Sequence, residues 1–409
     1  MIKTMQRMLA EEKEKYKVPK SVQDIIPIRH IWPDGIFLCG NKYVKSYRFS
    51  DINYRVSSDE DKEEMFGGYC ELINTLDSSA DTKITISNRR IDKIDFENTI
   101  LLRTRDDNLN DYRKQYNEML TQKAIDGNGI TQEKYITVSV VKRNIEEART
   151  FFNRCSGELS NRLHKLSSQC EELNLNERMR ILFDFYRCGE ESSYFFDLDD
   201  TLRKGHHFKD LICPSGAEFH KDYFILGKKY GRALFLRDYA SYIKDSMMSE
   251  LCEMSKTLMI SITLNPVPTE EAIREVENRL LGVETNITNW QRRQNQNNNF
   301  SAVIPYDMEQ QRKEAKEFLD DLTARDQKML FAVVTMVHLA DTKEELDGDT
   351  ESILATGRKY LSQISTLTYQ QADGLSTTLP LGLRKINAFR TLTTESAAAV
   401  SMPFSAQEI

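Results

Sequence analysis

The feature that most constrains this chain is an order of periodicities that occurs twice. Thr82–Ser87 alternates polar and apolar residues, as a strand with one buried face does. Leu258–Leu264 alternates in the same way and is stopped by Pro266 and Pro268. Each is followed by helical spacing and then by a longer apolar strand, Tyr135–Val141 in one case and Met329–His338 in the other. A helix follows each of those strands. The order strand–helix–strand, helix, strand–helix predicts an α+β fold of two ferredoxin-like (split βαβ) halves, with helices on one sheet face.

Local signals set the expected boundaries. Residues 1–20 read as a charged N-terminal helix ended at Pro19, residues 21–170 as the first α+β half, and 171–225 as a connector. The second half spans 226–380, and 381–409 reads as a linker. In the first half, Ser57 and Glu60 offer a capping box for a helix carrying Met65, Tyr69, Leu72 and Leu76. Asn144 caps a helix whose stripe is Ile145, Ala148, Phe152, Cys155, Leu159 and Leu163. In the second half, Lys343–Ile364 reads as one helix.

The second half also carries an insertion, residues 269–322, that reads as a long helical hairpin. Ile273, Val276, Leu280, Val283, Ile287 and Trp290 recur at alternating spacings of three and four, which makes a narrow seam for a single partner helix. Asp307–Leu322 offers Met308, Ala315, Leu319 and Leu322 in return, and the Gln- and Asn-rich stretch 291–299 reads as a solvated loop between them. Two outcomes follow from such a seam. The hairpin closes on itself, or it projects and docks on a partner through these residues and the adjacent Arg292 and Arg293.

Composition narrows the function classes. Of 409 residues, 40% are hydrophobic and 29% charged, the profile of a globular chain and not of a disordered one. A formal charge of −7 argues against a broad electropositive footprint for nucleic acid. The start, Met1–Arg7, lacks the apolar core of a signal peptide, and no apolar run approaches bilayer length. The seven cysteines include no Cys-x-x-Cys pair, so they fit reduced thiols in a cytoplasmic protein.

Several blocks then point in one direction. They are Asp34-Gly35-Ile36-Phe37, Phe49-Ser50-Asp51-Ile52-Asn53-Tyr54, Arg279 through Pro305, and Leu379-Pro380-Leu381-Gly382-Leu383-Arg384-Lys385. Arg390-Thr391-Leu392-Thr393-Thr394-Glu395-Ser396 and Met402 to Ile409 complete the set. Together they resemble the amino-terminal region of conjugal transfer ATPases of the type IV secretion class, the VirB- and TraE-like motor proteins of Gram-positive conjugative elements. The resemblance implies a motor that oligomerises beneath a conjugation channel and contacts inner-membrane channel components. Its ATP and Mg²⁺ would belong to a motor domain expected beyond Ile409, since no Gly-x-x-x-x-Gly-Lys-Ser/Thr occurs in this chain. The expectation is therefore a non-catalytic assembly region without cofactor, metal or catalytic residues, cytoplasmic and peripheral to the membrane through its partners.

Other constellations stand beside that reading. Phe196-Asp197-Leu198-Asp199-Asp200-Thr201-Leu202 matches the nucleophile signature of haloacid dehalogenase-like phosphatases, with Asp197 and Asp199 as the carboxylates beside Mg²⁺. That chemistry needs the tip of a buried parallel strand, and only Tyr194, Phe195 and Phe196 precede the motif, so an acidic connector loop is the plainer reading. His206, His207, Cys213 and His220 fall within fifteen residues but in no closed zinc pattern. His338, ending an apolar strand, reads as a core histidine, and Gly227–Gly231 as a turn. Trp290-Gln291-Arg292-Arg293 would suit a single-stranded DNA-binding module.

Overall fold

The computed structural model describes residues 4–6, 19–90, 101–126, 130–240, 245–297 and 303–404. The first half runs β1 (Ile28–Ile31), β2 (Phe37–Cys39), β3 (Lys42–Phe49), helix Asp59–Asn74, β4 (Ala80–Arg90), helix Asn110–Asp126, β5 (Ile130–Val140), helix Ile145–Lys165 and β6 (Cys170–Glu172). The second half repeats it. It runs β7 (Ala217–Phe219), β8 (Phe224–Leu226), β9 (Lys229–Asp238), helix Ser246–Cys252, β10 (Thr257–Pro266), a helical hairpin, β11 (Met329–Ala340), helix Lys343–Lys359 and β12 (Gln363–Thr366). A last strand, β13 (Arg390–Thr393), and a helix, Thr394–Ser401, close the described chain.

The protein is α+β, and its strands form one antiparallel sheet in the order β1-β2-β3-β5-β4-β10-β11-β9-β8-β7. β6 adds to β3, β12 to β9 and β13 to β11. β4 and β10 meet at the centre, with Ile86 opposite Ile260 and Ile84 opposite Ile262. From that seam each half proceeds outward through the same succession, β5-β3-β6 on one side and β11-β9-β12 on the other. The strand at Tyr135 and the strand at Met329 thus hold equivalent positions. Pairing the two long edges β4 and β10 satisfies a row of backbone groups that separate halves would leave exposed.

Alternation along the central strands sends residues to two different cores. Ile84, Ile86, Ile260, Ile262, Val334 and Met336 face a core roofed by the helices of both halves and by Thr394–Ser401, which contributes Ala397, Ala398 and Val400. Asn144 caps the helix after β5 as expected, accepting from the Glu147 amide at 2.9 Å. The cap of the helix Asp59–Asn74 is Ser58, one residue later than Ser57, accepting from the Asp61 amide. The helix begun at Lys343 stops at Lys359, because Leu361 turns left-handed (φ 54°) and the chain re-enters the sheet as β12.

The opposite face is also covered, which corrects the expectation of helices on one side only. The stretch read as a connector, 171–225, supplies helix Leu175–Tyr186, whose Met179, Leu182 and Phe183 are buried, and the sheet strands β7 and β8. The stretch read as a linker is likewise structural through residue 404. Leu381 and Ile386 are buried against the sheet, β13 pairs with β11, and the Tyr69 hydroxyl donates to the Ser401 carbonyl at 2.9 Å. The expected N-terminal helix of residues 1–20 lies mostly outside the described residues.

This second face is polar at its centre. Lys83, Thr85, Thr137, Ser139, Ser261 and Ser46 are all buried there beneath the strap formed by helix Gln371–Thr378 and residues 379–386. The Lys83 ammonium, 1% exposed, donates to the carbonyls of Thr377, Leu379 (3.0 Å) and Leu383 (3.0 Å). Three donors meet three acceptors, one of them near the C-terminal end of a helix, where cations are favoured. Ser139 donates to the Gly382 carbonyl at 3.0 Å, and Ser261 to that of Thr378. Gly382 (φ 63°) passes so close that a Cβ there would stand 2.6 Å from the Ser139 Cβ, so no other residue fits.

Burial pulls the Lys83 pKa down to about 7, with Lys42 adding to the effect. Replacing Lys83 with Met removes the charge but takes the ammonium donor from three carbonyls, of which that of Leu379 keeps the Leu381 amide at 2.7 Å, and the second effect dominates. The expected result is a loss of roughly 3 kcal/mol in denaturant unfolding. Amides of residues 379–386 should lose exchange protection before those of β4 and β10 do.

Candidate docking surface on the helical hairpin

The insertion is a hairpin of two long helices, Thr269–Gln296 and Tyr306–Ala324. At 1.5 Å per residue the first is about 42 Å long. Among the described residues only its base packs on the body of the protein. There Val267, Ala272, Val276, Leu322, Met329 and Phe331 form a small core, joined by Ile273, Phe318, Leu319 and Phe389. Phe389, three residues beyond the strap, meets the Phe331 ring at 5.1 Å. Glu271 at the same base accepts from the Thr4 hydroxyl at 3.0 Å.

Beyond the base the two helices satisfy each other, and this corrects the expectation that the seam itself is the docking surface. Val276, Val283 and Ile287 are buried, with Ala315 and Leu322 facing from the second helix. Leu280 and Trp290 are half-buried. The physical reason lies in the spacing: a stripe repeating every 3.5 residues is filled by one helix, and Tyr306–Ala324 brings a matching one in the same chain. The Gln- and Asn-rich stretch read as a loop continues the first helix through Gln296, so Arg292 and Arg293 sit exposed on its last turns. Residues 298–302 lie outside the described residues.

What the hairpin offers outward is a different set. Leu281 is 66% exposed, Val303 86% and Tyr306 81%. Each is a large apolar side chain left open to water on the hairpin, Val303 and Tyr306 just before and at the start of the second helix and Leu281 midway along the first. Sequence spacing alone did not single them out, because Leu281 lies one residue off the seam position Leu280 and the three form no stripe at a helical period.

The remaining candidates are dispersed. Asp197 is exposed and caps the short helix Leu198–Arg203, accepting from the Asp200 amide at 3.0 Å, and Asp199 follows in its first turn. Neither stands at a strand tip, and the pairings among the described strands are antiparallel, so the parallel-strand setting of the phosphatase signature is not met. The His207 ring accepts from the Lys209 amide, His220 stacks on Tyr223, and His206 is exposed. Among the described residues no group of three or more His, Cys, Asp or Glu side chains could hold a metal ion. Gly227 (φ 58°) forms the tight turn between β8 and β9.

His338 is a core histidine. The Thr350 hydroxyl donates to the Leu346 carbonyl at 2.7 Å and accepts from Arg232 at 2.7 Å. It therefore meets the His338 Nε2, 3.0 Å away, as acceptor, which assigns the proton to Nε2 of a neutral ring. Burial, with Arg232 and Lys256 close by, pushes the His338 pKa down to about 3. Arg232 is itself paired with Asp347 at 2.7 Å, and Lys256 with Asp349.

No family model matches the chain, and no curated protein does. Among the described residues no helix is long and apolar enough to cross a membrane.

Two outcomes are expected here. An unfolded histidine takes its proton near pH 6.5 and folded His338 does so only near pH 3, so stability carried by this group is complete above 6.5 and falls as pH drops through that window. The slope should be about 1.4 kcal/mol per pH unit in urea titrations, and His338→Gln should flatten it. Separately, Val283→Asp with Ile287→Asp should melt the distal hairpin at a local cost of several kcal/mol. Amide exchange should report the loss beyond residue 280 while the base and the sheet keep their protection.

Proposed function

We propose that this chain is a non-catalytic assembly region of a type IV secretion (conjugal DNA transfer) ATPase, one that docks the motor on channel components and on neighbouring subunits. The observation that carries the reading is the hairpin. Among the described residues it is anchored to the sheet at its base, closed along its own seam, and bears the open apolar side chains Leu281, Val303 and Tyr306. A long element built this way stabilises little of the body that bears it, and its exposed face suits a partner.

The blocks that resemble the conjugal motors fit the same view. Asp51 pairs with the buried Lys134, and Tyr54 donates to Asp245 at 2.8 Å. Gly35 (φ 75°) packs where a Cβ would stand 2.2 Å from the Leu173 carbonyl oxygen. Leu379–Lys385 is the strap, and Arg279–Pro305 is the distal hairpin. All but the last maintain the platform; the last is the part that reaches outward. We also infer that the two halves are ferredoxin-like units related by duplication, which the matched succession of strands on either side of the β4–β10 seam supports. Cytoplasmic residence at the membrane surface, through inner-membrane channel partners, belongs to this proposal, as does homo-oligomerisation in a motor whose ATP and Mg²⁺ another domain would bind.

Leu281→Asp combined with Tyr306→Asp should cut co-purification with inner-membrane channel components at least ten-fold while leaving the melting temperature within about 2 °C, as exposed-site changes do. Full retention of those partners by a folded double variant would sink the docking role. Single-stranded DNA binding through Arg292 and Arg293 is the competing reading. It predicts that Arg292→Glu with Arg293→Glu abolishes a salt-sensitive DNA complex, and Mg²⁺-dependent turnover of phosphoesters lost in Asp197→Asn would instead restore the phosphatase alternative.

A further inference from the structure

The hairpin returns to the body through a joint built from three distant parts of the chain. Its second helix, Tyr306–Ala324, passes into β11 over Arg325, Asp326, Gln327 and Lys328. Asp326 holds left-handed backbone there (φ 52°), a conformation whose cost the surroundings must offset.

A side chain from the first half meets this turn. Asn74, the last residue of the helix Asp59–Asn74, donates from its amide nitrogen to the Asp326 carbonyl at 2.9 Å. Its amide oxygen accepts from the Thr394 hydroxyl at 2.6 Å, and that hydroxyl accepts from the Lys328 amide at 2.8 Å. These bonds run in one direction, Lys328 to Thr394 to Asn74 to Asp326. They leave the hairpin exit and return to it two residues earlier. Each donor in such a chain polarises the next, so the members are worth more together than singly. The Asn74 main-chain carbonyl accepts a further bond, from the Lys328 ammonium.

Gln327, between the two ends of that chain, holds the last helix. Its side-chain oxygen accepts from the Glu395 amide at 2.9 Å, and its nitrogen donates to the Glu395 carboxylate at 3.0 Å. Glu395 lies in the first turn of the helix Thr394–Ser401, where amides have no partner within their own helix. The hairpin exit therefore caps the start of that helix. The apolar contacts at the hairpin base, among Val267, Ala272, Val276 and Leu322, hold without fixing a direction; the polar joint fixes one.

We propose that this joint is a conformational relay with Asn74 as its positioning residue, locking the hairpin exit and the helix Thr394–Ser401 into one unit, so that a displacement imposed on the hairpin reaches the end of the described chain. Its two states are the closed chain of bonds and an open one in which Asp326 relaxes from left-handed backbone. Coupling of this kind is reciprocal: what loosens the helix loosens the hairpin exit, and the converse. The relay does not depend on what the hairpin binds.

The test is amide exchange in the intact chain, read at one probe on each side of the joint. On the hairpin it is the Gln327 amide, which donates to the Asp321 carbonyl at 3.2 Å. On the last helix it is the Ser396 amide, which donates to the Thr393 hydroxyl at 3.3 Å. Thr394→Val keeps the shape of a buried side chain and removes its hydroxyl, and it should speed exchange at Gln327 by about ten-fold. Gln327→Ala should speed exchange at Ser396 by about the same factor, and Asn74→Ala should do so at both probes. Amides of Leu72 and Ile73, inside the helix that bears Asn74, should keep their wild-type rates. Acceleration confined to the side that was altered would overturn the relay. So would equal acceleration at Leu72 and Ile73, because Asn74 would then only be holding its own helix together.

Discussion

Two buried cations and the carbonyls that surround them hold the layers of this protein together. Lys83 rises from the central strand β4 into the C-terminal strap, and Arg178 reaches it from the helix Leu175–Tyr186. Arg178 donates to the carbonyls of Gly35 and Val44 at 2.7 Å and of Pro380 at 3.1 Å, with its guanidinium 3.8 Å from the centre of the Phe37 ring. Neither cation rests on a carboxylate there. A charge in so dry a place is tolerable only when each donor is satisfied, and backbone carbonyls do this without adding a second ion that must also be desolvated. The consequence is mutual dependence: the strap covers the polar face, and the polar face fixes the path of the strap.

The arrangement explains why one sheet can span both halves. A sheet with a wet second face would leave Lys83, Thr85, Thr137 and Ser261 in water, and the strap would have no site. With the strap in place those groups become internal, and Lys42, Asp81 and Asn265 extend the network along the same face, Asp81 accepting from both neighbours. Beyond the strap the chain threads past the hairpin base at Phe389 and delivers Thr394–Ser401 to the other side, beside Tyr69. A single segment thus touches both cores and the foot of the projecting hairpin.

Much of this was legible in the residues. The alternation of Thr82–Ser87 and Leu258–Leu264 marks strands, and the 3.5-residue spacing from Ile273 to Trp290 marks a helix with one partner. Asn144 marks its own helix start. The errors have specific causes. Lys83 and Thr85 read as solvent-facing because polar residues usually are, yet here a distant segment buries them. The connector 171–225 and the tail 381–404 look irregular because their apolar residues are spaced to fit a face already made, not to repeat along an element. β12 was absorbed into the preceding helix because an apolar–polar run of four residues after Leu361 carries too little periodicity to show a change of structure.

By itself, then, the sequence determined the inventory: which stretches are strands or helices, that the order occurs twice, and that a long hairpin interrupts the second occurrence. These are local consequences of side-chain period and backbone preference. Tertiary structure alone decided that β4 and β10 join, that the strap lies over a polar face, that the hairpin seam closes on itself and leaves Leu281 and Tyr306 outside, and that β12 leaves the preceding helix to pair with β9. Each of those depends on contacts between residues far apart in the chain, and no period within a window of residues encodes which distant surface will arrive to meet it.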